Sequence, residues 1–256
     1  MSLIIENLSF SYGKREVLRE LSFTAEAGEL LAILGPNGVG KTTLFKCVMG
    51  LERRYAGRIT ADGADLAALT PRERAHRVAA IPQAHPLSFR YNAFDMVLMG
   101  TSHTLSPFGV PGEKERAAAR EAMARVNIEH LADRPFDRLS GGEQQLVFIA
   151  RALSQQAKTL LMDEPTSSLD YGNRLRVLQV ARDLARSGYT VLLSTHDPQH
   201  ALWFADRALA LKAGQALALG TPPQILTSDL LYELYGCRID LYDTPQGPVL
   251  APGKER

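Results

Sequence analysis

The sequence predicts an α/β fold: a mixed, largely parallel sheet flanked by helices, with an antiparallel β layer beside it and an inserted helical subdomain. Three features carry that expectation. Apolar, β-rich runs at Leu30–Leu34, Thr159–Met162 and Thr190–Ser194 are each followed by loop residues and then amphipathic sequence, an alternation that builds parallel sheets. Short strand-like runs at Leu3–Phe10, around Leu18–Thr24 and at Gly57–Asp62 are joined by turns, as antiparallel layers are. From Arg72 to Ala132 the chain becomes rich in Ala, Arg and Glu, interrupted by Thr101–Gly112 with its prolines and glycines, which reads as helix, loop and helix.

The remaining elements follow in order. Ala208–Leu211 and Ala216–Leu219 flank a Lys-Ala-Gly-Gln turn, and Thr221 with Pro222, then Ser228, read as the caps of two short helices. From Thr244 onward the composition suggests a frayed tail. A chain of 256 residues is within the range of one large α/β domain. The expected organisation is a core from 1–82 and 157–242, a helical subdomain over 83–156, and a flexible segment at 243–256.

Composition narrows the partners. With 29 basic and 28 acidic residues the net charge is +1, so no global electrostatic attraction to nucleic acid or to an anionic membrane surface is expected. The opening MSLIIENLSF has neither the basic region nor the long apolar region of a secretory signal, and no run reaches the ~18 apolar residues of a membrane span. Cys47 and Cys237 are the only cysteines, and their spacing supports neither a disulfide framework nor a zinc site. A reducing cytoplasm and two apolar core fillers are the expectation.

The chemistry begins at Gly35-Pro36-Asn37-Gly38-Val39-Gly40-Lys41-Thr42, which fits G-x-x-x-x-G-K-[ST] between an apolar strand and a helical run. That is the context a P-loop needs. Its glycines let backbone N–H groups close around phosphate oxygens. The helix start adds partial positive charge, Lys41 reaches the outer phosphates, and Thr42 offers a hydroxyl to Mg²⁺. Asn37, Gly38, Gly40, Lys41, Thr42 and Thr43 are therefore the expected ATP contacts. A second half of the site is expected at the end of a buried strand, and Leu160-Leu161-Met162-Asp163-Glu164 supplies it. Asp163 would hold the Mg²⁺, and Glu164 would polarise an attacking water.

Ser140 and Glu143 form an S-x-x-E capping box ahead of an apolar face at Leu146, Ile149 and Leu153. A capping box does not account for the paired glycines, Gly141 and Gly142, each of which costs a helix roughly 1 kcal/mol. An exposed helix start of that kind attracts anions.

Leu139-Ser140-Gly141-Gly142-Glu143-Gln144 resembles the signature motif of ABC ATPases, and the resemblance runs from Leu3 to about Tyr235. It implies a homodimer in which Ser140, Gly141 and Gly142 of one copy contact the γ-phosphate held by the P-loop of the other. Tyr12 resembles the aromatic that stacks on adenine. Gln83 is similar to the Q-loop glutamine that touches Mg²⁺ and the attacking water, Ser168-Leu169-Asp170 resembles the D-loop, and His196 the switch histidine that meets the γ-phosphate. Glu143 stands where glutamine is common and Ser168 where alanine is common, and neither change alters the chemistry implied.

With one P-loop, one signature and no membrane span, membrane domains would be separate polypeptides, as in importers. Val97-Leu98-Met99-Gly100 and the loop after it resemble the metal-chelate importer ATPases, whose cargoes are iron-siderophores, haem, cobalamin, or molybdate and tungstate. Thr101 departs from the arginine common in siderophore relatives, so the cargo stays open. The resemblance further implies permease subunits, a periplasmic or lipid-anchored binding protein, and a peripheral place on the cytoplasmic side of the cell membrane. His85, His103, Arg72, Arg74 and Arg77 are either near those membrane subunits or simply solvated. The alternative is a soluble ABC ATPase of the Fe–S cluster assembly type.

Overall fold

The computed structural model describes residues 2–82, 91–106, 109–245 and 247–253. In chain order its strands and α-helices are β1 (Leu3–Tyr12), β2 (Arg15–Ala25), β3 (Leu30–Leu34), α1 (Lys41–Met49), β4 (Ala56–Ala61), β5 (Ala64–Asp65), α2 (Pro71–Ala75) and β6 (Val78–Ile81). There follow α3 (Ala93–Leu98), α4 (Glu113–Arg125), α5 (Gly141–Ser154), β7 (Thr159–Asp163), α6 (Tyr171–Arg186), β8 (Thr190–Thr195) and α7 (Pro198–Phe204). The last are β9 (Arg207–Lys212), β10 (Gln215–Gly220), α8 (Pro222–Ile225), α9 (Ser228–Tyr235), β11 (Ile239–Thr244) and β12 (Gly247–Pro252).

The expected layers are present. A six-stranded sheet runs in the order β10-β9-β3-β8-β7-β6, parallel except where β10 pairs antiparallel with β9. A four-stranded antiparallel sheet, β2-β1-β4-β5, lies beside it. Because side chains alternate across a strand, β7 and β8 feed two cores. Leu160, Met162, Val191 and Leu193 pack with α3, α4, α5 and α6. Leu161 and Leu192 face the other way, toward Leu44, Phe45 and Val48 of α1 and the inner face of the antiparallel sheet. The P-loop helix is thus sandwiched between the two sheets, which fixes the loop that precedes it.

Six expectations change. The stretch from Arg72 contains the strand β6, whose Val-Ala-Ala-Ile run is too short and Ala-rich to stand out from helix and which forms by pairing with β7. Met99–Thr104 is a 3-10 helix where a loop was expected, held by hydroxyl and backbone bonds such as Thr101 Oγ1 to Leu98 O at 2.8 Å. The described residues from Gly247 to Pro252 are not a frayed tail. They form β12, paired with β11 and fastened to α7 by Leu250 N–H to Gln199 Oε1 (2.7 Å) and Trp203 Nε1–H to Pro248 O (3.2 Å). The proline and glycine content suggested a tail, and the partners on α7 lie far away in sequence. Finally, Thr227 rather than Ser228 caps α9, Thr221 makes no side-chain cap bond, and Cys237 is exposed while Cys47 is buried.

α1 ends at Gly50, whose φ of 71° is left-handed and whose Leu51 N–H returns to Lys46 O. A Cβ there would collide with the guanidinium of Arg74, a buried cation that donates to the carbonyls of Met49, Leu66 and Leu69. Gly50→Ala is expected to lower the unfolding free energy measured in urea by about 1–3 kcal/mol. Gly63→Ala, at φ 74° with nothing within 4 Å, is expected to lose only the backbone part, about 1 kcal/mol.

Candidate active site

Parallel sheets bind ligands at the carboxyl ends of their strands, and the site sits there. After β3 the chain passes Gly38 (φ 80°) and Gly40 (φ 116°), the N-cap of α1. A Cβ on Gly40 would press on Val17 O and Leu18 Cδ2, so the loop can take this path only with glycine. The turn points Lys41 back along it. Lys41 is 4% exposed, and its Nζ donates to Gly35 O at 2.7 Å and Pro36 O at 3.1 Å and pairs with Glu164 Oε1 at 3.2 Å. Thr42, beside it, is exposed.

A cleft of about 930 Å³ holds most of the expected residues: Tyr12, Asn37, Gly38, Gly40, Lys41, Thr42, Thr43, Asp163 and Glu164 all line it. Tyr12 stands at its edge, 43% exposed, its ring edge-to-face on Phe10 and its hydroxyl donating to Glu52 Oε1 at 3.1 Å. Gln83, also expected there, lies outside the described residues, as does His85, and His196 does not line the cleft but meets Glu164 at its edge. Pro82, just before Gln83, does line the cleft, and its carbonyl accepts from Nε2 of the buried Gln145 on α5 at 3.2 Å.

Asp163 and Glu164 are set apart by the backbone. Glu164 has φ 43°, a left-handed conformation that costs a non-glycine residue roughly 1–2 kcal/mol. Ser194 at the end of β8 holds this turn: its hydroxyl donates to Asp163 Oδ1 at 2.7 Å and accepts from Glu164 N–H at 2.9 Å. With the backbone so turned, one Glu164 oxygen meets Lys41 and the other meets His196 Nδ1 at 3.2 Å. Sequence reading missed Ser194 and Gln145. Neither belongs to a motif, and each acts through a contact between distant strands or helices.

The signature residues Ser140, Gly141 and Gly142 do not line this cleft. They start α5, where Ser140 caps through its hydroxyl and Glu143 returns to the Ser140 N–H at 2.8 Å. Those bonds hold the Glu143 carboxyl below its usual range. Gly142 lies against Asn173 of α6, and a Cβ there would strike it. In one molecule, therefore, the P-loop cleft and the start of the signature helix are separate surfaces, with Ser140 and Gly141 exposed.

Among the described residues, no three His, Cys, Asp or Glu side chains gather as a metal cage. The Thr42 hydroxyl and Asp163 carboxylate on one cleft are instead hard oxygen donors of the sparse kind that suits Mg²⁺ held jointly with phosphates. The residues present fit that ion. Cys47, on the buried face of α1, is no ligand, for burial, aided by Glu52, pushes its thiol up to about 12.

The chain is similar to many known proteins. Residues 18–167 match the family model described as ABC transporter. An uncharacterized ABC transporter ATP-binding protein of Haemophilus influenzae is 39% identical over 92% of this chain and 89% of its own length. The hemin import ATP-binding protein HmuV of Jannaschia sp. is 38% identical over 96% of this chain and 91% of its own. Among solved structures, a metal-chelate type ABC transporter in an inward-facing conformation superposes with a TM-score of 0.86 at 32% identity, covering 99% of this chain and 98% of that one.

Ser194→Ala deletes the acceptor of the Glu164 N–H and the donor to Asp163. It is expected to cost about 1–3 kcal/mol in chemical denaturation and to lower ATP turnover, as measured by phosphate release.

Proposed function

The chain belongs to the ABC transporter ATP-binding family, and on that premise we propose that it is the ATP-hydrolysing subunit of a metal-chelate importer, working as a homodimer. ATPase activity goes with the family. The importer reading is supported by the relatives named for hemin import and by the metal-chelate transporter that superposes on the whole chain. Hemin is the first cargo to test, ahead of the siderophore, cobalamin and oxyanion alternatives, and the import names weigh against Fe–S cluster assembly. Among the described residues no helix is long and apolar enough to cross a membrane, so the transport path falls to separate permease subunits on whose cytoplasmic face this subunit sits. A binding protein outside the membrane completes the system.

The observation that carries the mechanism is the double engagement of Glu164. Its carboxylate bridges Lys41 and His196 at the lip of the phosphate cleft. In the proposed cycle Tyr12 stacks on adenine, and the N–H groups from Asn37 to Thr43 wrap the phosphates. Their negative charge draws the Lys41 ammonium toward the outer phosphates, which releases one Glu164 oxygen to accept a proton from water. His196 retains the other oxygen and keeps the carboxylate aimed. Thr42, Asp163 and Gln83 are the residues that would hold Mg²⁺, which when bound neutralises charge on the β- and γ-phosphates. Ser140, Gly141 and Gly142 of the second copy close over the γ-phosphate at the start of α5. Closure and reopening follow the presence of that phosphate, a two-state interface whose motion passes to the permease through the segment after Pro82.

Glu164→Gln removes the base and keeps the shape. Turnover is expected to fall on the order of 10² to 10⁴-fold, with ATP affinity retained in equilibrium binding; unchanged turnover would assign the base elsewhere. The shared site has its own test. Lys41→Ala and Ser140→Arg copies are each expected to be inactive alone and to regain turnover when mixed, because the mixed dimer contains one intact pair of surfaces. No recovery on mixing would overturn the two-copy site.

A further inference from the structure

We propose that His200 is a positioning residue for the switch histidine, His196, fixing its backbone from both sides; this rests on the reading of His196 as a hydrolysis residue. His200 stands in the first turn of α7, four positions after His196, and is 6% exposed. It does not reach the phosphate cleft. Both of its ring nitrogens are engaged, and both engage the residues that flank His196. Nδ1 lies 3.3 Å from Thr195 Oγ1, and Nε2 lies 3.2 Å from Asp197 Oδ2.

The hydrogen bonds around this ring permit one self-consistent arrangement for the neutral imidazole. Asp197 N–H donates to Thr195 Oγ1 at 3.1 Å, so the threonine hydroxyl has its own hydrogen to give to Nδ1. Nε2–H then donates to the Asp197 carboxylate, whose other oxygen caps α7 by accepting from Gln199 N–H at 2.9 Å. Burial lowers the His200 pKa, and Arg174 and His196 push the same way against Asp197. A neutral ring is what this circuit needs, with one nitrogen accepting and the other donating.

The consequence is mechanical. Residues 195–197 pass from the end of β8 into α7, a junction where the backbone could take several paths. With Thr195 and Asp197 joined through one buried ring, the intervening His196 has little freedom to turn, and its Nδ1 meets Glu164. His196 is itself half exposed, so its neighbours rather than its own packing must aim it. A space of about 40 Å³ lies between Glu164, His196 and His200, which leaves room for His196 to swing if the junction loosens.

The test is a double-mutant cycle read by steady-state ATP turnover, ATP KM and thermal unfolding. His196→Ala alone tests the underlying reading: full turnover would show that His196 is not needed, and the positioning role would fall with it. With His196→Ala impaired, His200→Leu is expected to lower kcat about tenfold with KM unchanged, and His200→Gln, which keeps a donor toward Asp197, to recover part of the loss. The double variant His196→Ala/His200→Leu is expected to be no slower than His196→Ala. Thr195→Val, which removes the hydroxyl partner, is expected to behave like His200→Leu and serves if that variant fails to fold. Wild-type kcat in the His200 and Thr195 variants, or losses that multiply in the double variant, would overturn the proposal.

Discussion

The phosphate cleft is tied to the end of the parallel sheet through a single carboxylate. Glu164 is reached by two stretches far apart in sequence: the P-loop through Lys41, and the passage from β8 into α7 through Ser194 and His196. The parallel register of β3, β8 and β7 brings these together, because it aligns Leu34 with Thr195 and Asp163 with Ser194 at one edge of the sheet. A one-residue slip would turn every side chain to the opposite face. The two cores fed by alternating residues of β7 and β8 resist that slip.

The cost of the arrangement is local. Lys41 is buried with two carbonyl acceptors and one half-buried acid, and Glu164 is held in a left-handed backbone conformation. Such features persist where the surroundings over-determine them. Here the surroundings are the hydrogen bonds of Ser194 on one side and the sandwich of α1 between two sheets on the other.

The P-loop, the acidic pair, the signature capping box and the two-sheet architecture are legible in sequence because each rests on contiguous residues with a local rule: glycine at left-handed positions, a hydroxyl before Glu at a helix start, a strand ending in acids. What sequence concealed is of another kind. Ser194 reads as the last residue of a strand, and only the register between β7 and β8 turns it into the bridge under Glu164. Gln145 and His200 read as helix residues, and their partners Pro82 and Thr195 are set by packing and by the local turn. β6 exists because β7 pairs with it, and β12 because α7 offers Gln199 and Trp203. Residues whose role comes from a neighbour across the fold leave no periodic trace.

The sole tryptophan of the chain is Trp203, on α7, with its indole N–H bound to Pro248 O of the final hairpin. Indole emission from this protein therefore has one address. A change in indole emission reports on the joint between α7 and that hairpin, and α7 is the helix entered directly from the turn that carries His196. The fold has placed a native fluorophore one short helix away from the turn that carries His196, so changes there can be sought in unlabelled protein.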